Sequence, residues 1–290
     1  MRGKTLFAAA LAALLPAAGP AVQVPPPPAG AGPDPVSALH ERALVWDGHN
    51  DLAHRVRYEK LDIGNRLPAG QVDLPRLREG RVDVQVVSLY IANYLYPDKA
   101  AWQAYDLIEA MRGAIAAHPD RVELARTGSD VERIAAAGRI AMPLAIEGGH
   151  AIEDSLDNLR RFRELGVSSM TLTHNVSHNW ADSGGDKVRW HGLNDLGRRV
   201  IAEMNRIGMV VDLSHVSDET FFDVLEVSRD PVICSHSGCR AVNPHRRNVS
   251  DDMLRALARN GGVIGIVFAC GFLSAAYATT RDALRAVGRP

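Results

Sequence analysis

Seven short runs rich in Val, Ile and Leu punctuate the chain from residue 43 onward: Ala43–Trp46, Val82–Leu89, Ile140–Ile146, Ser168–Leu172, Met209–Leu213, Pro231–Cys234 and Val263–Phe268. Most lack polar alternation, which is the pattern of strands buried on both faces. Helical spacing fills the gaps. Trp102–His118 is followed by a Pro; Ser155–Leu165 runs from a Ser cap to Gly166; Asn194–Ile207 stops at Gly208. Ser217–Ser228 and Ser250–Arg259 begin at further Ser caps. Alternating strands and helices imply a parallel sheet in an α/β fold.

The expected architecture is a (β/α)8 TIM-type barrel, which takes roughly 250 residues and eight strands. The chain has 290 residues, 46% of them apolar, enough for one large core. Only seven strands are legible. After Phe268 there is one helix-like stretch, Arg281–Val287, so the barrel is expected to be truncated before its eighth strand. An unclosed barrel leaves two strand edges unpaired, which favours aggregation or pairing with another chain, a homodimer included.

A formal net charge of −1 and no basic stripe argue against nucleic acid or an anionic membrane surface as partner. Residues 1–22 read as a secretory signal peptide: Arg2 and Lys4 precede an Ala/Leu/Phe run from Leu6 to Leu15, then small residues. That run falls short of the roughly 20 residues a membrane span needs. Residues 23–36 read as a Pro-rich linker and 37–290 as the barrel. The mature chain is therefore expected to be exported, to a periplasm or the exterior, with no membrane span. Cys234, Cys239 and Cys270 match no metal spacing, and no disulfide is assigned.

Metal-type side chains cluster where these strands end: Asp47-Gly48-His49-Asn50-Asp51, Glu147-Gly148-Gly149-His150, Thr173-His174-Asn175, Asp212-Leu213-Ser214-His215 and Ser235-His236-Ser237. In a barrel all these ends meet at one face, where active sites are built. Zinc takes imidazole nitrogen and carboxylate oxygen. His49 and Asp51 are two apart on a segment read as extended, so both project to one side. Glu147 can offer its two oxygens to two ions. Two ions sharing a hydroxide bring its pKa toward about 7 and make it a nucleophile for a carbonyl carbon. Buried His, Asp and Glu are costly unless paired or metal-bound, which disfavours a packing role for the set.

The segments WDGHND (46–51), VDLPRLREG (72–80), AIEGGH (145–150), LTHN (172–175), NWADS (179–183), GMVVDLSHVSD (208–218), SHSGCRAV (235–242) and HRRNVSDDML (245–254) together resemble the membrane dipeptidase family of metallopeptidases. The resemblance implies a barrel with two zinc ions per chain. It implies that His49 and Asp51 hold one, that His215 and His236 hold the other, and that Glu147 bridges them. It places a substrate-contacting, oxyanion-stabilising histidine at His174 and a carboxylate-binding arginine at Arg247. From the residues alone Arg247 reads as a surface group beside Arg246 and His245. The implied reaction is zinc-dependent hydrolysis of dipeptides. Alternatives are another carboxylate-bearing amide, such as an N-acyl amino acid or a β-lactam, or an inactive truncated copy.

One departure stands out. The family's acidic residue in a Gly-Ser-Asp-Phe-Asp-Gly type motif has no counterpart in residues 269–290, where Asp282 is a poor substitute. His54, His118, His178, His191 and His245 are read as surface, loop or outer groups. His150 is read as an outer group to Glu147 or a bystander. Asp212 either orients a ligand histidine or bonds inside the barrel. Trp102 and Trp180 are read as packing.

Overall fold

The structure, a computed structural model, describes residues 35–92, 98–277 and 279. The stretch 1–22, nearly all of 23–36 and the helix-like Arg281–Val287 with Asp282 lie outside the described residues. The chain divides into two compact units at Arg42/Ala43. Of the first, the described part is an exposed helix, α1 (Pro35–Arg42).

The second unit is built on a parallel sheet of nine strands. They are β1 (Trp46–Asn50), β2 (Val84–Tyr90), β3 (Val122–Leu124), β4 (Ile140–Met142), β5 (Leu144–Glu147), β6 (Val167–Thr171), β7 (Val210–Asp212), β8 (Ile233–Ser237) and β9 (Val263–Ile266). The path β2-β5-β6-β7-β8-β9, with β1 on the other side of β2, is the seven-strand barrel order expected from the sequence. Two details differ. The run Ile140–Ile146 is two strands, divided at Pro143, which has no N–H to give; its carbonyl accepts from Val87 N instead. The three-residue β3 pairs with β4 and is too short to show as an apolar run.

Helices follow the strands: α2 (Leu52–Glu59), α3 (Leu74–Glu79), α4 (Ala100–Ala116), α5 (Gly128–Ala136), α6 (Leu156–Leu165), α7 (Asp195–Ile207), α8 (Asp218–Val227), α9 (Asp251–Asn260) and the single turn α10 (Cys270–Leu273). The caps read from sequence are in place. Ser155, Asn194, Ser217 and Ser250 each accept a backbone N–H in the first turn of α6, α7, α8 and α9. Gly166 and Gly208 close α6 and α7 in the left-handed conformation.

The inner strands are buried on both sides: Val87, Leu89, Ile146, Met170 and Val211 pack with Leu107, Ile108 and Met111 of α4 and Val200, Ile201 and Met204 of α7 in one core. Trp180 is fully buried within it, whereas Trp102 is half exposed. The sheet curls as an open barrel, and Gly48 of β1 comes so close to β8 that a Cβ there would lie 2.9 Å from the Ser235 carbonyl oxygen. Among the described residues no strand joins β9 to β1. Both edges accordingly show apolar side chains: Trp46 is 52% exposed and Val263 65%.

Candidate metal centre

Parallel pairing sets the register of the strand ends. Tyr90 lies opposite Glu147, Glu147 opposite Thr171, and Thr171 opposite Asp212. That row brings the C-terminal ends of β2, β5, β6 and β7 level. His49 lies in β1, Glu147 ends β5, and His236 lies in β8. His174 and His215 each stand three residues beyond a strand, after β6 and β7.

Glu147 is the hub and is 4% exposed. Its Oε1 is 3.0 Å from His215 Nε2 and 3.5 Å from His236 Nε2, and its Oε2 is 3.5 Å from His49 Nε2. Ser88 of β2 donates its hydroxyl to Oε2 at 3.1 Å. The His215 and His236 Nε2 atoms are 2.9 Å apart, and the His49 and His236 ring centroids lie 3.8 Å apart with the rings tilted by 33°. His174 Nδ1 or Nε2 joins Glu147 and His215 in a second close donor group, and its ring lies 4.4 Å from that of His215.

Asp51 reaches the cluster by a different route from the one its spacing suggests. It is the N-cap of α2, with φ −82° and ψ 29°, and not part of an extended run. Its Oδ1 still lies 3.6 Å from His49 Nε2, with the side chain 65% exposed. The strand-to-helix turn, rather than strand periodicity, aims the carboxylate.

Burial and the close approach of these groups shape their charge states. Burial would raise the Glu147 carboxyl, but the imidazoles of His215, His236 and His49 hold it well below the usual range. Burial lowers His215 to about 3 and also lowers His236 and His174, so these rings are neutral. His49 goes the other way. Against its burial, hydrogen bonds to Asp51 and Glu147 lift it to about 10. The position between the Asp51 and Glu147 carboxylates thus favours positive charge at His49. The donor set suits a divalent cation: two imidazole nitrogens 2.9 Å apart can share only one proton, whereas a zinc ion takes imidazole nitrogen and carboxylate oxygen together as ligands. His49, Asp51, Glu147, His174, His215 and His236 could supply ligands.

Arg247 is buried, at 7% exposed, and this corrects the reading of it as a surface residue. The turn after β8 folds inward, held by Asn248, whose side-chain amide donates to the Asn243 and Phe272 carbonyls. The Arg247 guanidinium lies over the Phe272 ring and makes one long bond, 3.4 Å, to the His236 carbonyl. Its Nε has no partner. Burial lowers the guanidinium to about 10, so it stays charged at neutral pH.

The remaining histidines mostly have local tasks. His54 bonds the Tyr90 carbonyl, His118 pairs with Asp62, His178 bonds the Leu172 carbonyl and His245 stacks on Phe272. His191 takes a left-handed turn conformation. His150 does not touch Glu147 in any hydrogen bond or ion pair; it lines a cavity of about 870 Å³, with Tyr90, Glu153, Asp154, His174 and Asn179. That volume suits a small ligand, and its wall includes one residue of the cluster.

Sequence reasoning singled out Asp212 as a carboxylate that orients a ligand histidine or bonds inside the barrel, but missed the hydroxyl groups that support the histidines. Ser183 bonds backbone at two of them. Asp212 is 2% exposed, and although burial would raise it, nearby His236 and the donors Ser235, Thr171 and Ser214 keep it below the usual carboxylate range. Serines and threonines next to ligands carry no distinctive sequence signal.

The sequence model described as membrane dipeptidase (peptidase family M19) matches residues 34–287. Dipeptidase 3 of Rattus norvegicus is 39% identical over 253 residues, covering 81% of this chain and 51% of that protein. The probable dipeptidase PvdM from Pseudomonas aeruginosa superposes with a TM-score of 0.77 at 26% identity, over 87% of this chain and 68% of that one. A metallo peptidase from Rhodobacter sphaeroides, solved with a phosphinate mimic of the dipeptide L-Ala-D-Ala, superposes with a TM-score of 0.71 at 27% identity, over 79% of this chain and 75% of that one. The chain spans about half the length of the curated relatives it matches.

Proposed function

This chain belongs to the membrane dipeptidase family, peptidase family M19, and from that premise we propose that it hydrolyses dipeptides at the His49–Glu147–His215–His236 cluster with two zinc ions. The observation that carries the reading is the buried Glu147 carboxylate, with one oxygen toward His215 and His236 and the other toward His49. That division supports His215 and His236 as ligands of one ion, His49 and Asp51 as ligands of the other, and Glu147 between them. When bound, such a pair supplies Lewis acidity toward a carbonyl and makes water nucleophilic at neutral pH.

The chain's own residues bind and orient. His174, neutral and beside His215, offers an N–H to a carbonyl oxygen whose negative charge grows as its carbon is attacked. Arg247 offers a charged fork to the dipeptide's C-terminal carboxylate, and its burial strengthens that contact by excluding water. A substrate with a free carboxylate is therefore preferred over an amide-capped one. The same feature favours a second reading, hydrolysis of another carboxylate-bearing amide such as an N-acyl amino acid or a β-lactam.

Residues 37–290 form the catalytic barrel in this proposal, and residues 1–22 direct the chain out of the cytoplasm. The basic start and the Leu6–Leu15 apolar run support export. Among the described residues no helix is long and apolar enough to cross a membrane.

The test uses the purified chain. Zinc content near two per chain, release of D-Ala from L-Ala-D-Ala, and loss of that release on chelation are expected. Glu147→Gln should lower zinc content and abolish turnover. A zinc-loaded protein that cleaves no dipeptide, or a Glu147→Gln variant with full zinc, overturns the proposal.

A further inference from the structure

We propose that Asp212 and Ser235 act as a positioning pair that fixes His236 in its Nδ1–H tautomer and so turns a bare Nε2 toward Glu147. The inference rests on the metal centre proposed above and adds how one of its ligands is prepared.

Asp212 ends β7 inside the barrel. Its Oδ1 accepts the backbone N–H groups of Ser214 at 3.0 Å and Ser235 at 2.9 Å. Its Oδ2 accepts the hydroxyls of Thr171 at 2.6 Å and Ser235 at 2.5 Å. Each oxygen thus takes two donors, which is the full capacity of an ionised carboxylate. A carboxylate cannot donate, so the Ser235 hydroxyl proton is committed to Asp212. Ser214 Oγ, at 3.4 Å, is a poorer acceptor for it.

Ser235 Oγ also lies 2.8 Å from His236 Nδ1. With its proton spent on Asp212, that oxygen has only lone pairs to offer, so Nδ1 must carry the hydrogen. A neutral imidazole has one N–H, and Nε2 is left bare. This is the atom 2.9 Å from His215 Nε2 and 3.5 Å from Glu147 Oε1. His215 provides the contrast. Its Nδ1 is buried with no partner, so nothing equivalent fixes its tautomer. Its single hydrogen is best placed on Nε2, 3.0 Å from Glu147 Oε1. Of the two rings, His236 alone is set in advance as a ligand. The backbone achieves this through register: Asp212 pairs with Ile233, two residues before Ser235, so the carboxylate sits beside both the N–H and the hydroxyl of Ser235.

The experiment is long-range proton–nitrogen correlation on the metal-free chain, with His236 assigned through His236→Gln, together with zinc affinity by chelator competition. In the wild type, His236 Nδ1 should be protonated and Nε2 not. In Asp212→Asn the new amide can donate to Ser235 Oγ, which turns the hydroxyl toward Nδ1 and moves the ring proton to Nε2. Zinc affinity should then fall about 10–100-fold. Ser235→Ala should lose the preference and Ser235→Thr should retain it, a pair that still decides the matter if Asp212→Asn fails to fold. A wild-type ring protonated at Nε2 overturns the proposal, as does Asp212→Asn with unchanged tautomer and zinc affinity, or Ser235→Ala matching wild type. The tautomer is read without metal. A chain that shows it yet binds no zinc refutes the metal centre and leaves the positioning pair standing.

Discussion

The Ser183 hydroxyl donates to the backbone carbonyl of His174 across 2.6 Å. The same hydroxyl lies 3.3 Å from the His215 carbonyl, which also accepts Gly184 N–H at 2.9 Å. His215 needs such support. Its φ is +76°, a left-handed conformation that a residue with a Cβ adopts at a cost. One serine therefore ties the loops after β6 and β7 together and holds the two rings 4.4 Å apart.

Ser183→Ala should loosen both histidines. The His174 carbonyl loses its donor, while the His215 carbonyl keeps the Gly184 N–H; a buried acceptor left without a partner costs about 1–3 kcal/mol. Thermal unfolding should shift down accordingly, and dipeptide turnover should fall more than zinc content. Unchanged stability and turnover would show that the loops are held elsewhere.

Arg247→Lys keeps the charge and loses the fork. Hydrogen bonds to charged groups contribute about 1.5–3 kcal/mol, so KM for free-acid dipeptides should rise roughly tenfold or more. KM for dipeptide amides should barely move. Equal effects on acids and amides would remove Arg247 from carboxylate binding.

Gly149→Ala should be strongly destabilising. A Cβ there would come within 2.4 Å of the Trp180 ring and 2.5 Å of the Leu172 carbonyl oxygen. Neither the backbone nor a fully buried indole can withdraw easily, so a loss of about 3 kcal/mol is expected by chemical denaturation. A wild-type denaturation midpoint would show that the turn after Glu147 is more plastic than its packing indicates.

Glu203 of α7 carries the clearest acid sensitivity away from the metal cluster. Its pairing with Arg206, against the opposing effect of burial, and then with Arg160 brings the carboxyl down to about 2. The folded pKa lies below the unfolded value of about 4.3. Its stabilising contribution is therefore present above that value and disappears as pH falls toward 2. Glu203→Gln should be less stable than wild type at pH 7, and the gap should close between pH 5 and pH 2. Urea midpoints across that range, repeated at high salt because both arginines are partly exposed, provide the check. A gap independent of pH contradicts the assignment.

Much of the barrel could be read without coordinates because it rests on short-range chemistry. Apolar runs marked the main strands. Ser155, Asn194, Ser217 and Ser250 marked helix starts because their side chains bond N–H groups only two or three residues away. His49, Glu147, His174, His215 and His236 could be placed at one face because a parallel sheet puts like ends together. Pro143 was the local signal passed over: a residue without an N–H inside an apolar run divides it.

What the sequence by itself determined is the order of strands and helices and the identity of the polar groups at their ends, since both follow from spacing and from contacts within a turn. The tertiary structure alone decided that Arg247 is buried, that Asp51 reaches His49 from a helix cap, that Ser183 spans two loops, and that Asp212 meets Ser235. The last two join residues 9 and 23 positions apart. Such meetings are set by register and by the curl of the sheet, which depend on the whole core packing at once.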